Sequence, residues 1–183
     1  AAVAAHAPRA GMILLPKAET AAELSIAAAL LTEAGSDATL GALIESAVGL
    51  EAVFEIARAT PRLDVLVFGG VDLRADMGLG PGDPPLAYAR ARIVHAATTA
   101  RLQCLDMPEL GFRDLPNLAQ QAQAARQLGF SGKAAIHPSN IAPINAAFTP
   151  TAEEIAQAQQ VMAAHAASAS GLVEMDGHLI EAP

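Results

Sequence analysis

Five residues that a buried strand would not choose stand just past short apolar runs. Lys17 follows GMILL (Gly11–Leu15), Glu45 follows Leu40–Ile44, and Asp72 follows DVLVF (Asp64–Phe68). Asp106 follows Leu102–Leu105, and His137 follows Lys133–Ile136. Glu45 and Asp72 are the sharpest pair. Two carboxylates on neighbouring strand ends can hold one hard cation through oxygen and leave positions open for water and substrate, as Mg²⁺ requires. Equally, each can cap the helix that follows or pair with an arginine. Lys17, one of two lysines, suits either a substrate carboxylate or an ion pair with a rim acid. Gly69-Gly70 lets backbone N–H groups approach a ligand oxygen, or simply makes a tight strand-to-helix turn. His137 is read as a ligand contact or as the hydrogen-bonding partner of its own turn. Cys104 is read as a small core residue, Asp106 as a more exposed group backing the site, and Lys133 as a structural residue at the opposite strand end. Arg74, Arg90, Arg92 and Arg113 are either ordinary surface residues or cations for nucleotide phosphates. His6, His95 and His165 read as surface helix residues.

Bulk properties narrow the ligand. The 183 residues are 52% apolar and 16% charged, with a formal net charge of −8 and a pI near 5.0. Such a surface repels polyphosphate, so a general nucleic-acid partner is excluded. With no Trp and one Tyr, platforms for base stacking are missing too. An anionic substrate must be met by a local cation or a metal. The single Cys104 allows no internal disulfide and points to a reducing, cytoplasmic setting. No apolar run approaches the roughly 20 residues that span a bilayer, and no stretch has the pattern of a signal peptide. No membrane partner is expected.

These side chains need a scaffold, and the apolar pattern supplies one. The short runs alternate with helix-period segments: Thr20–Ala34, with Thr20 as cap, then Ser46–Ala59, Pro85–Ala100, Leu115–Leu128 and Thr151–Ala166. Thr151 and Glu154 form a capping-box pattern. Alternating strands and helices predict βαβ units and a parallel sheet. The strands are continuously apolar, so both faces should be covered. The polar strand ends then form one rim, where both a (β/α)₈ barrel and an open doubly wound sheet place their sites. Ala167–Gly171 (ASASG) reads as a linker. Beyond it, Asp176-Gly177 between apolar flanks predicts a hairpin. The expected domains are residues 1–166 and a tail, 167–183.

Longer strings carry a family resemblance. ALIESAVGLEAVFEIA (Ala42–Ala57), VLVFGGVDLRADMG (Val65–Gly78) and LGFSGKAAIHPSNIAPINAAFTPTAEE (Leu128–Glu154) resemble the citrate lyase beta-subunit family. GMILLPKAE, Phe112-Arg113-Asp114 and MDGHLIEAP (Met175–Pro183) add to it, in the family's order and spacing. The resemblance covers nearly the whole chain. It implies an α/β fold, the (β/α)₈ TIM barrel, of which about the last five βα units are present here with a C-terminal tail hairpin. Three further strands, bearing an arginine for the substrate carboxylate, are expected upstream of Ala1.

The resemblance also implies a chemistry. Glu45 and Asp72 would bind Mg²⁺, with Mn²⁺ as a substitute, and the backbone around Gly70, Val71 and Asp72 would hold an oxo-acid carboxylate. Glu181 occupies the place of the family's C-terminal catalytic Asp, and Val71 stands where relatives often carry a polar residue. The implied reaction is carbon–carbon cleavage or formation in a 3-hydroxyacyl-CoA such as citryl-CoA or malyl-CoA, giving acetyl-CoA and a 2-oxo acid. The rival readings are a malyl-CoA-type thioesterase, a metal-dependent 2-oxo acid aldolase and a non-catalytic paralogue. The expected partners are an acyl-CoA, a small 2-oxo acid and copies of the chain in a homotrimer or hexamer.

Overall fold

The structure is a computed structural model that describes residues 11–82, 84–168, 172–175 and 178–181, the last two segments by their backbone alone. The chain divides into two compact units, Ala1–Phe148 and Thr149–Pro183.

In the first unit five strands form one parallel sheet: β1 (Met12–Leu15), β2 (Thr39–Ile44), β3 (Leu63–Phe68), β4 (Gln103–Asp106) and β5 (Gly132–Lys133). Their spatial order is their sequence order. A doubly wound sheet reverses its order at a switch point. This one does not reverse, as expected for consecutive βα units of a barrel. The helices are α1 (Ala21–Glu33), α2 (Ala47–Glu51), α3 (Val53–Ile56), α4 (Gly70–Asp76), α5 (Ala87–Ala100), α6 (Leu115–Leu128) and α7 (Ile141–Phe148).

Side-chain alternation along the strands separates the two faces. Leu40, Ala42, Ile44, Leu66, Phe68 and Cys104 belong to a core shared with Leu24, Ala28 and Leu31 of α1 and Ala89, Ile93, Ala96 and Ala97 of α5. Alanines at the helix contacts let α5 approach the sheet closely, and each large side chain buried there contributes roughly 1.5–3 kcal/mol. Met12 and Leu14 point the other way and are each 46% exposed. The register slips between Leu40 and Gly41, so that Leu63 and Val65 pair while Asp64 is passed over and left exposed. This bulge lets Leu63 and Leu66 both reach the helix-side core.

Capping follows the sequence closely. Thr20 and Glu23 form a capping box on α1, and Ser46 caps α2 through the Gly49 N–H. Two elements differ from expectation. The helix expected over 46–59 breaks at Ala52 into α2 and α3. Arg92 of α5 donates from Nε to the Leu50 carbonyl and from Nη2 to the Glu51 carbonyl, both at 2.9 Å, and so occupies acceptors a continuous helix would use. The strand expected over 133–136 covers only Gly132–Lys133, because β4 ends at Asp106 and leaves nothing to pair with beyond Ala134.

The second unit contains α8 (Ala152–Ala167), with the expected Thr151–Glu154 capping box, and an antiparallel pair, β6 (Leu172–Met175) and β7 (His178–Glu181). The expected turn residues Asp176 and Gly177 lie outside the described residues. Among the described residues no helix is long and apolar enough to cross a membrane.

Candidate functional site

Glu45 is the first residue past β2, and Asp72 lies in the first turn of α4, just past β3. β2 and β3 are neighbours in register up to Ile44 and Phe68, so the two acids emerge at the same edge of the sheet. They line one cleft of about 250 Å³ with Lys17, Ala75 and Asp76. Glu45 is half-buried and Asp72 exposed. Glu45 Oε1 accepts the main-chain N–H of Lys17 at 2.8 Å. Burial pushes the Glu45 carboxyl above its ordinary range; the Lys17 N–H pulls it down, and the nearby Asp72 carboxylate pushes it up again.

The paired glycines are dictated by packing. A Cβ on Gly69 would stand 2.4 Å from Glu45 Cβ and 2.9 Å from its Oε2. One on Gly70 would meet Met107 Sδ at 2.4 Å and the Phe68 ring at 2.8 Å. The two glycines thus make a tight strand-to-helix turn, which lets the start of α4 close against Glu45. Val71 is 45% exposed beside Gly70 in a second cleft of about 310 Å³, which includes Arg74, Met107, Pro108 and Leu110.

Asp76 was not singled out by sequence. Its Oδ2 accepts the Ala47 N–H at 2.7 Å, at the N-terminus of α2. The signal was available, because Asp72 and Asp76 are one helical turn apart and share a face. Among the described residues no group of three or more His, Cys, Asp or Glu side chains converges as a metal site. Two carboxylates are nonetheless a sufficient protein share for Mg²⁺, which keeps several of its waters. The donors here are oxygen only, and a cation between them would relieve the repulsion that burdens Glu45.

Among the other rim residues, Asp106 departs from expectation, while Lys133, Cys104 and His137 take roles the sequence offered. Asp106 is fully buried rather than exposed, and its Oδ2 accepts from Arg90 Nη2 at 2.9 Å and from Lys133 Nζ at 2.8 Å. Lys133 stands level with Asp106 in the register, not at the opposite strand end. Strand parity explains both, since Asp106 shares the helix-facing side with Cys104. The Cys104 thiol is pushed up to about 12 by burial and then by Asp106, so it is inert. Arg90 and Arg92 are committed to protein partners, and Arg74 Nη1 donates to the Gly80 and Gly82 carbonyls. Arg113 lies over the Phe112 ring, 5.2 Å from its centroid. His137 accepts from the Ser139 N–H through Nδ1 and stacks on Phe112, which is the turn-holding role. Glu181 ends β7, opposite Leu172.

Comparison with known proteins accords with this layout. The citrate lyase subunit beta of Leuconostoc mesenteroides subsp. cremoris is 34% identical over 184 residues, covering 94% of this chain and 61% of that one. The mitochondrial citramalyl-CoA lyase of Rattus norvegicus is 38% identical over 126 residues, covering 66% of this chain and 37% of that one. The chain thus spans less than two thirds of the length of both relatives. Among solved structures, RipC from Yersinia pestis superposes with a TM-score of 0.80 at 43% identity, over 84% of this chain and 71% of that one. CitE from Mycobacterium tuberculosis, in complex with magnesium, acetoacetate and coenzyme A, superposes with a TM-score of 0.78 at 29% identity, over 94% of this chain and 64% of that one. A model of the HpcH/HpaI aldolase/citrate lyase family matches residues 3–138, and the chain belongs to that family.

Proposed function

We propose that this chain carries the metal-binding half of a Mg²⁺-dependent carbon–carbon lyase acting on a 3-hydroxyacyl-CoA. The observation that carries the reading is the meeting of Glu45 and Asp72 in one cleft, at the ends of adjacent parallel strands, in a chain of this family. The names of its relatives support it: citrate lyase subunit beta, citramalyl-CoA lyase and L-malyl-CoA/beta-methylmalyl-CoA lyase. So does the CitE complex with magnesium, acetoacetate and coenzyme A.

In this reading Glu45 and Asp72 hold Mg²⁺, or Mn²⁺ in its place. When bound, the ion supplies Lewis acidity toward the hydroxyl and carboxylate oxygens of the substrate. The backbone N–H groups at Gly70, Val71 and Asp72 orient the carboxylate, and the Lys17 ammonium adds charge at the cleft edge. The C2–C3 bond breaks as the C3 hydroxyl passes its proton to solvent water. Its oxygen becomes the carbonyl of the released 2-oxo acid, and the bonding electrons pass to C2 as the enolate of acetyl-CoA. Glu181 donates a proton to that carbon, and in the synthetic direction removes one. The tail, residues 167–183, brings Glu181 from a neighbouring copy in a homotrimer or hexamer. The lone Cys104 suits a cytoplasmic setting.

The test offers malyl-CoA, citramalyl-CoA and citryl-CoA with Mg²⁺ and follows two products, 2-oxo acid and free thiol. The lyase releases 2-oxo acid with no free thiol. Thiol release without 2-oxo acid identifies a thioesterase, and neither product identifies a non-catalytic paralogue. Glu45→Gln and Asp72→Asn should each remove activity without unfolding the protein. Near-normal turnover of either variant in excess EDTA would defeat the metal assignment.

A further inference from the structure

We infer that Lys17 has a second role, carried by its main chain: the left-handed turn it makes aims Glu45 at the metal position. This rests on the reading of Glu45 as a metal ligand. Lys17 has φ +47°, one of two described non-glycine residues with positive φ. An L-residue enters that region against a steric penalty, so the surrounding structure must enforce it. Three contacts do so. The Lys17 N–H donates to Glu45 Oε1 at 2.8 Å. The next residue, Ala18, is 2% exposed and donates its N–H to the Leu43 carbonyl at 3.0 Å. The Ala18 carbonyl lies so close to Gly49 of α2 that a Cβ there would stand 2.4 Å from its oxygen.

The turn after β1 is thus pinned to β2 on one side and to α2 on the other. Its fixed N–H occupies one carboxylate oxygen of Glu45 and sets the rotation of the group. Oε2 remains for the cation, held near Gly69. Lys17 is in this respect a positioning residue, and the role does not involve its ammonium.

Mn²⁺ affinity, read by electron paramagnetic resonance on the full chain, separates backbone from side chain. Lys17→Gly and Lys17→Asn both remove the ammonium and both tolerate left-handed backbone. They should bind Mn²⁺ like wild type, while the KM for the acyl-CoA rises. Lys17→Val, whose branched Cβ resists that conformation, should weaken Mn²⁺ binding about tenfold with little change in Tm. Gly49→Ala leaves Lys17 untouched but displaces the Ala18 carbonyl, and should weaken Mn²⁺ binding as well. Equal affinity in wild type, Lys17→Val and Gly49→Ala would overturn the inference and leave the metal reading intact. Equal weakening in all three Lys17 variants would assign the effect to the ammonium and also overturn it. Absence of Mn²⁺ binding by wild type would overturn both.

Discussion

Glu45 meets opposed demands. Its carboxyl is drawn part-way out of water and set beside Asp72, both of which favour the proton, while the Lys17 N–H favours the charge. The net shift is upward. A carboxyl whose folded pKa lies above its unfolded value favours folding at low pH. That advantage is lost as pH rises from the unfolded value through the raised folded one. Metal-free Glu45→Gln should therefore melt higher than wild type at neutral pH, and no higher in acid below the carboxylate range. Mn²⁺ should raise the wild-type Tm and not that of the variant, and this gain should shrink as pH falls through the raised pKa. Thermal melts across pH, with and without Mn²⁺, check both signs. A variant that melts like wild type at neutral pH would remove the charge argument. Glu45 and Asp72 were legible in sequence because Glu45 follows its apolar run directly and Asp72 follows the next one after Gly69, Gly70 and Val71. Asp106 also follows one, yet it turns inward. What separates them is where the strand ends: Asp106 is still inside β4, on the side it shares with Cys104, whereas Glu45 lies past β2 and Asp72 in α4.

Between elements, the Asp106 cluster links α5, β4 and β5 through one buried carboxylate oxygen. Two cations share it, while Asp106 Oδ1 and Arg90 Nε have no partner among the described residues. Removing one member of such a group strands the others in low dielectric, at about 3–5 kcal/mol. Asp106→Asn should lower stability by that order while leaving Mn²⁺ affinity close to wild type, because no atom of the cluster lines the Glu45–Asp72 cleft. Denaturant unfolding and metal titration measure the two separately. The element boundaries set by local chemistry were readable in advance. The α6 span, Leu115–Leu128, matches its expected limits, and the expected Thr20 cap and Thr151–Glu154 capping box both form. The break at Ala52 was not readable, since it depends on Arg92, a residue forty positions away in sequence. The same holds for the two-residue β5, which stops for want of a partner.

At the scale of the molecule, the winding of the sheet was ambiguous in sequence and is resolved by strand order. Polar strand ends suit either a barrel or a doubly wound sheet, whereas unreversed neighbours suit the first. The proposed sharing of the active site belongs to this scale too. Glu45 and Asp72 lie in the first unit, and Glu181 in the second. If the tail serves a neighbouring copy, two inactive variants, Glu45→Ala and Glu181→Ala, should regain part of their activity when co-assembled. Some interfaces then pair two intact halves. Verified mixed oligomers that stay inactive would count against sharing in trans.

The strand order also bears on how the chain acquires its fold. Among the described residues, each strand of the sheet pairs with its neighbours in sequence: Met12 with Thr39, Ala42 with Leu66, Leu66 with Cys104, and Asp106 with Lys133. Within the described sheet, β2 to β5 are each added beside the strand made just before. During synthesis, each new strand leaves the ribosome with its template already formed, and the helix that precedes it is available to cover the growing layer. Each of these additions closes a loop of modest length, and domains generally form from the N-terminus as they are made. The sheet can therefore be built one βα unit at a time, with the Glu45–Asp72 cleft complete once α4 has docked and well before Glu181 has been translated.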